Sequence, residues 1–89
     1  MARQLMAQWY LRTGLAAMRQ KDNAAAEENF RAGFAIDARN PPLAMNLGTL
    51  CLMEGKVQDS IAPLEAFHTA RPEDPQSALF LGQAYAQTG

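Results

Sequence analysis

Apolar residues recur at helical spacing along this 89-residue chain, in stretches parted by short polar segments. The spacing predicts helices at about 3–20, 24–37, 41–53, 57–70 and 75–87. Alternation at period two is not sustained anywhere, so no strand is expected. Lys21-Asp22-Asn23 and Glu54-Gly55-Lys56 read as the tight turns of antiparallel helix pairs. Asn40 before Pro41-Pro42, and Asp74 before Pro75, read as N-caps followed by proline in the first turn, where a missing N–H costs nothing. Pro63 falls inside the fourth helix. It predicts a slight kink, with its ring facing solvent, or else a functional hinge.

The pattern repeats. Gly14, Gly48 and Gly82 are evenly spaced, and their surroundings recur in register. Thr13, Leu47 and Leu81 precede them; Tyr10, Ala44 and Ala78 lie a turn before; Ala17, Cys51 and Tyr85 lie nearly a turn after. Ala26 pairs with Ser60, Phe30 with Leu64, Gly33 with Phe67, Ala38 with Pro72, Pro41 with Pro75, and Gly55 with Gly89. Small or bulky apolar types hold at nearly all of these positions. A period of this length is the mark of a helical repeat array.

The residues carrying it resemble the tetratricopeptide repeat (TPR) family. Tyr10 and Gly14 with Ala26 and Phe30, Leu47 and Gly48 with Leu64 and Pro72, and Leu81, Gly82 and Tyr85 fit the family motif. Thr13, Cys51, Ser60, Phe67 and Ala38 depart from it without breaking the helical period. The resemblance implies an all-α, TPR-like α-solenoid of antiparallel helix pairs in a single domain, with about two and a half repeats built from five helices. Its units are expected at about 7–40 and 41–74, with a partial unit at 75–89.

In that family the opening helix of each unit lines a concave groove, and the closing helix forms the convex outside. Helices 41–53 and 75–87 carry no charge, whereas the closing helices carry Glu27, Glu28, Arg31, Asp37, Asp59, Glu65 and Arg71. The groove is therefore expected to be neutral and apolar. The family's ligand-facing register falls on Leu11, Leu15 and Met18, with Gln8 and Arg19, in the first unit. It falls on Met45, Thr49, Leu52 and Met53 in the second, and on Leu79 and Gln83, with Gln76 and Gln87, in the third. Methionine adapts to varied partners, so these positions suit an apolar peptide or amphipathic helix. The other reading is that a Met and Leu stripe at helical spacing is simply core. The family's clamp for chaperone carboxyl termini is absent: of its positions only Asn46 keeps a suitable residue.

Leu81 and Tyr85 correspond to Leu47 and Cys51, which a closing helix would cover. With the chain stopping at Gly89, both are expected to be uncovered and to serve self-association, in an excised fragment or a domain that dimerises through this face.

Composition narrows the function. A net charge of −1 offers no general attraction to nucleic acid. The longest uncharged stretches, Asn40–Met53 and Pro75–Gly89, fall short of the ~20 apolar residues of a membrane span. Residues 1–21 carry Arg3, Arg12, Arg19 and Lys21 with no acid, which imitates a targeting peptide. Tyr10 and Gly14 nevertheless place that helix in the repeat. Cys51 lacks a disulfide partner and reads as a buried thiol; His68 lacks neighbours at metal spacing; Glu27-Glu28 and Glu73-Asp74 read as a solvated face and a helix start. No phosphate loop, nucleophile elbow or dinucleotide fingerprint occurs.

The resemblance thus implies a non-catalytic protein-interaction module without cofactor or metal, from a scaffold or assembly factor of bacterial style, with an apolar protein or peptide partner. The alternative is a small chaperone similar to the TPR chaperones of type III secretion, holding an apolar segment of an export substrate and dimerising through Leu5, Met6 and Trp9. A cytoplasmic location is expected, or a periplasmic one for a piece of a longer envelope protein.

Overall fold

The computed structural model describes residues 2–88. Met1 and Gly89, and with Gly89 its expected pairing to Gly55, lie outside the described residues. Five helices follow one another: α1 (Ala2–Arg19), α2 (Asn23–Ile36), α3 (Pro41–Met53), α4 (Val57–Ala70) and α5 (Pro75–Thr88). Among the described residues there is no strand. Each helix packs on the next in the chain, as helical hairpins do.

Local chemistry sets the helix ends. Asn40 Oδ1 accepts from the Leu43 N–H at 3.2 Å, and Asp74 Oδ1 from the Gln76 N–H at 2.8 Å, as the Asn-Pro and Asp-Pro pairs predict. Asp22, which the sequence marks only as part of a turn, caps α2 through the Ala25 N–H at 3.1 Å. The two hairpin turns are alike. Lys21 (φ 62°) and Gly55 (φ 78°) hold equivalent places in the repeat, and both are left-handed. In each turn the next residue's N–H reaches back to the helix, from Asp22 to the Ala17 carbonyl at 2.9 Å and from Lys56 to the Cys51 carbonyl at 2.8 Å.

The core forms two adjoining clusters. Ala7, Ala26, Phe30, Leu43, Leu47, Leu50 and Cys51 fill the first; Leu64, Leu81 and Ala84 form the second. The repeat glycines explain how close the pairs approach. A Cβ on Gly14 would lie 2.5 Å from Phe30 Cε1, and one on Gly48 would lie 2.7 Å from Leu64 Cδ2. Phe30 and Leu64 are themselves repeat equivalents, so one contact is made twice. At Gly82 an added Cβ would meet nothing within 4 Å.

Three expectations are corrected. Leu81 is not uncovered: it is 8% exposed, because it shares a face of α5 with Ser77 and Ala84, and α4 covers that face. Pro63 does not face solvent; it is buried, and α4 runs unbroken through it. Glu27 is not on a solvated face but is buried among charged partners.

Candidate functional site

Of the expected groove residues, the structure brings Leu15 and Met18 together. With Arg19 and Asn46 they line a cavity of about 300 Å³ that bridges α1 and α3. Leu15 stands at its mouth, partly exposed, and Met18 sits deeper, with part of its side chain against the first core cluster. Asn46 contributes its amide, already donating to the Pro42 carbonyl at 2.8 Å, so one polar group is held in place by its own helix.

The other expected positions divide. Leu11 packs on the first cluster and Leu52 on the second, which is the core reading of the stripe. Met45 and Thr49 are half-buried, and the Thr49 hydroxyl is spent on the Met45 carbonyl at 2.9 Å. Met53 (70% exposed), Leu79 (58%) and Gln83 stand free on α3 and α5, away from this cavity. Tyr85 remains exposed at the α5 surface, where its hydroxyl donates to Glu65 Oε2 of α4.

Sequence reasoning missed three arrangements. The first is a cavity of about 390 Å³ along α1, with Trp9 and Arg12 in its lining. The second is a hollow of about 440 Å³ between the α2–α3 connection and α4, lined by Ala38, Arg39, Ala66, Thr69 and Ala70. Small residues leave it open, and their mixed register carries no sequence signal.

The third is a charge network joining the two hairpins. Glu27 accepts from Lys56 Nζ at 2.7 Å and from Arg31 Nε at 2.7 Å, while Arg31 also meets Asp59 at 3.4 Å. The hydrogen bonds from Lys56, then Glu54 and Arg31, hold the Glu27 carboxyl down at about 2, against the cost of burial. Glu54 moves the other way, raised first by sharing with Glu27 and then by burial. Cys51 lies beneath this network with its Sγ 3.9 Å from Arg31, and burial pushes its thiol up, which leaves it inert as expected for a structural cysteine.

His68 also has a structural partner. Its Nδ1 lies 2.8 Å from Ser77 Oγ, whose own proton goes to the Asp74 carbonyl at 2.8 Å, so the ring donates and ties α4 to the start of α5. Among the described residues no group of three or more His, Cys, Asp or Glu side chains is placed to hold a metal ion, and no helix is long and apolar enough to cross a membrane.

No protein-family model matches the chain, and no curated protein matches it. The chain's own geometry therefore defines its class, an all-helical protein of consecutively packed helices with a cavity between the first and third.

Proposed function

We propose that this chain is a TPR-like interaction module whose opening helices α1, α3 and α5 present an apolar groove to a peptide or helix of another protein. One observation carries the reading. The Gly14–Phe30 contact recurs as Gly48–Leu64, so the same hairpin is built twice in the same register, and the opening helices α1 and α3 both contribute to the Leu15–Met18 cavity. Close approach at small residues is what shapes such arrays. The absence of any charge on α3 and α5 suits an apolar ligand, and Asn46 supplies an amide that can register its backbone. Binding of this kind asks nothing of catalysis, metal or cofactor.

A peptide library displayed on phage and selected against the chain tests this, with the site of the selected peptides mapped by amide chemical shifts. The selected sequences should be apolar on one face and should shift Leu15, Met18 and Asn46. Leu15→Glu should weaken them by about tenfold while helicity is kept, the cost of truncating one anchor in a small apolar site. Selection of no peptide, or shifts confined to α4, would remove the groove reading.

The secretion-chaperone alternative is favoured by one feature, the exposure of Leu5, Met6 and Trp9 on α1. It predicts a dimer that Trp9→Glu dissociates, read by light scattering.

A further inference from the structure

Helix α1 starts earlier than its repeat equivalents do. α3 and α5 begin at Pro41 and Pro75, which correspond to Ala7, whereas α1 begins at Ala2. Ahead of α3 the chain reverses between Asp37 and Asn40, and that reversal lays α2 against α3. At the equivalent place in α1, residues 3–6, the backbone is helical instead. The added turn carries Leu5, 69% exposed, and Met6, 51% exposed. Trp9 follows at 57%, although its repeat equivalents Leu43 and Ser77 are buried. No other stretch of the described chain exposes three large apolar side chains so close together in sequence.

The three share one side of the helix and have cations on both flanks. Leu5, Trp9 and Met6 fall within an arc of about 100° around α1. Arg12 and Arg19 border that arc on the Leu5 side and Arg3 borders it on the Met6 side, all three of them exposed. α1 carries no acidic side chain, and among the described residues none of these arginines is in an ion pair. All nine acidic side chains lie beyond residue 21. The opposite side of α1 is already spent, since Ala7 belongs to the first core cluster and Leu11 and Met18 pack against it.

We propose that this face of α1 docks on an anionic lipid surface, with the helix lying in the plane of the interface. Leu5, Met6 and Trp9 call for hydrocarbon, and the guanidinium groups on either side of them call for phosphate. A lipid interface supplies both, in layers, to a helix lying flat. Tryptophan settles at that level because its ring is apolar while its N–H keeps a polar partner. Nucleic acid offers the phosphates without the hydrocarbon. The acidic remainder of the molecule is repelled by the same surface, so the charge distribution turns α1 toward it. Docking of this kind needs one apolar face and not a helix long enough to cross. The inference does not rest on the groove between α1 and α3, although Arg19 borders that cavity as well.

The test uses vesicles of phosphatidylcholine, alone or mixed with phosphatidylglycerol. Trp9 is the chain's only tryptophan, so its emission reads this face directly. The expected result is a saturable blue shift with the mixed vesicles, with helicity by circular dichroism unchanged, and little shift with phosphatidylcholine alone. Raising salt should weaken binding. Arg12→Glu should weaken it about tenfold, and the pair Leu5→Ser and Met6→Ser several-fold at unchanged charge. These positions are exposed, so the fold should be kept, which circular dichroism checks in each variant. Asn46→Ala, outside this face, should bind vesicles normally even if it loses groove ligands, which separates the two readings. No shift with the mixed vesicles, an equal shift with phosphatidylcholine alone, or a shift indifferent to Arg12→Glu would overturn the proposal. A shift accompanied by loss of helicity would overturn it as entry of an unfolded chain, and a blue shift on raising protein concentration without lipid would overturn it in favour of a second copy.

Discussion

Gly14 lies so close to the Phe30 ring that even a methyl group would stand 2.5 Å from Cε1, whereas Gly82, in the same repeat register, faces open space. The two glycines therefore respond oppositely to one substitution. Alanine is favoured over glycine in a helix by about 1 kcal/mol. Gly82→Ala should gain most of that. At Gly14 the gain is outweighed, since Phe30 is fully buried and cannot yield, and overpacking of this kind costs about 1–3 kcal/mol. Urea denaturation of the two variants should give midpoints on opposite sides of the unmodified protein.

Lys21 holds a left-handed backbone where its repeat counterpart is Gly55. A non-glycine residue there costs about 1 kcal/mol. Lys21→Gly should raise stability by somewhat less, about 0.5 kcal/mol, because glycine also loosens the unfolded chain. Gly55→Lys should do the reverse, and a thermal melt of both variants reads the pair.

Acid sensitivity should centre on Glu27. Its folded carboxyl sits at about 2 against an ordinary 4.5, so it contributes stability that is whole above pH 4.5 and is lost as pH falls toward 2. Removing the carboxylate strands Lys56 and Arg31 around a buried position. Glu27→Ala should cost about 2–3 kcal/mol at pH 7 and progressively less below pH 4. Urea midpoints at pH 7 and pH 3 would show a steep dependence that the variant lacks.

Glu54 has the opposite sign. Its carboxyl is raised, so the folded state favours the protonated form, and its contribution is present below pH 4.5 and lost as pH rises through the raised value. One of its oxygens is buried without a hydrogen-bond partner. Glu54→Gln, which mimics the protonated form, should stabilise the chain by up to about 1 kcal/mol at pH 7 and have no effect near pH 3. An unchanged midpoint at pH 7 would contradict this.

Leu81 and Tyr85 lie on the same helix about a turn apart and should separate cleanly. Leu81→Glu places a charge against Leu64 and Ala84 without a partner, and should unfold the α4–α5 hairpin at a cost of about 3 kcal/mol or more. Tyr85→Glu touches only the surface and the bond to Glu65, so helicity by circular dichroism should be kept.

The groove is legible in the sequence only where it coincides with a boundary between helices. Register marks Leu15 and Met18, which do line a cavity, but the same register marks Leu11 and Leu52, which pack inward. A stripe at helical spacing specifies a direction around one helix; whether that direction ends in solvent or in a neighbour depends on the crossing of two helices. Trp9 has a readable signal, since its equivalents Leu43 and Ser77 lie on a buried face, but the signal is visible only once α2 and α4 are known to cover them. The Glu27 network has none: Lys56 and Asp59 lie on the following hairpin, nearly a full repeat further along the chain, and nothing local connects them.

The run of five helices and their ends belong to the sequence alone. Capping by Asn40 and Asp74, the prolines behind them and the helical period act within a few residues, and the paired glycines already mark where hairpins close. Which faces are spent is a matter of packing. Leu81 is buried and Trp9 is not, although both sit on the equivalent side of an opening helix, because α4 lies over one and no helix of the described chain lies over the other. Burial belongs to the pair of surfaces in contact, and a pattern along one helix carries only half of that information.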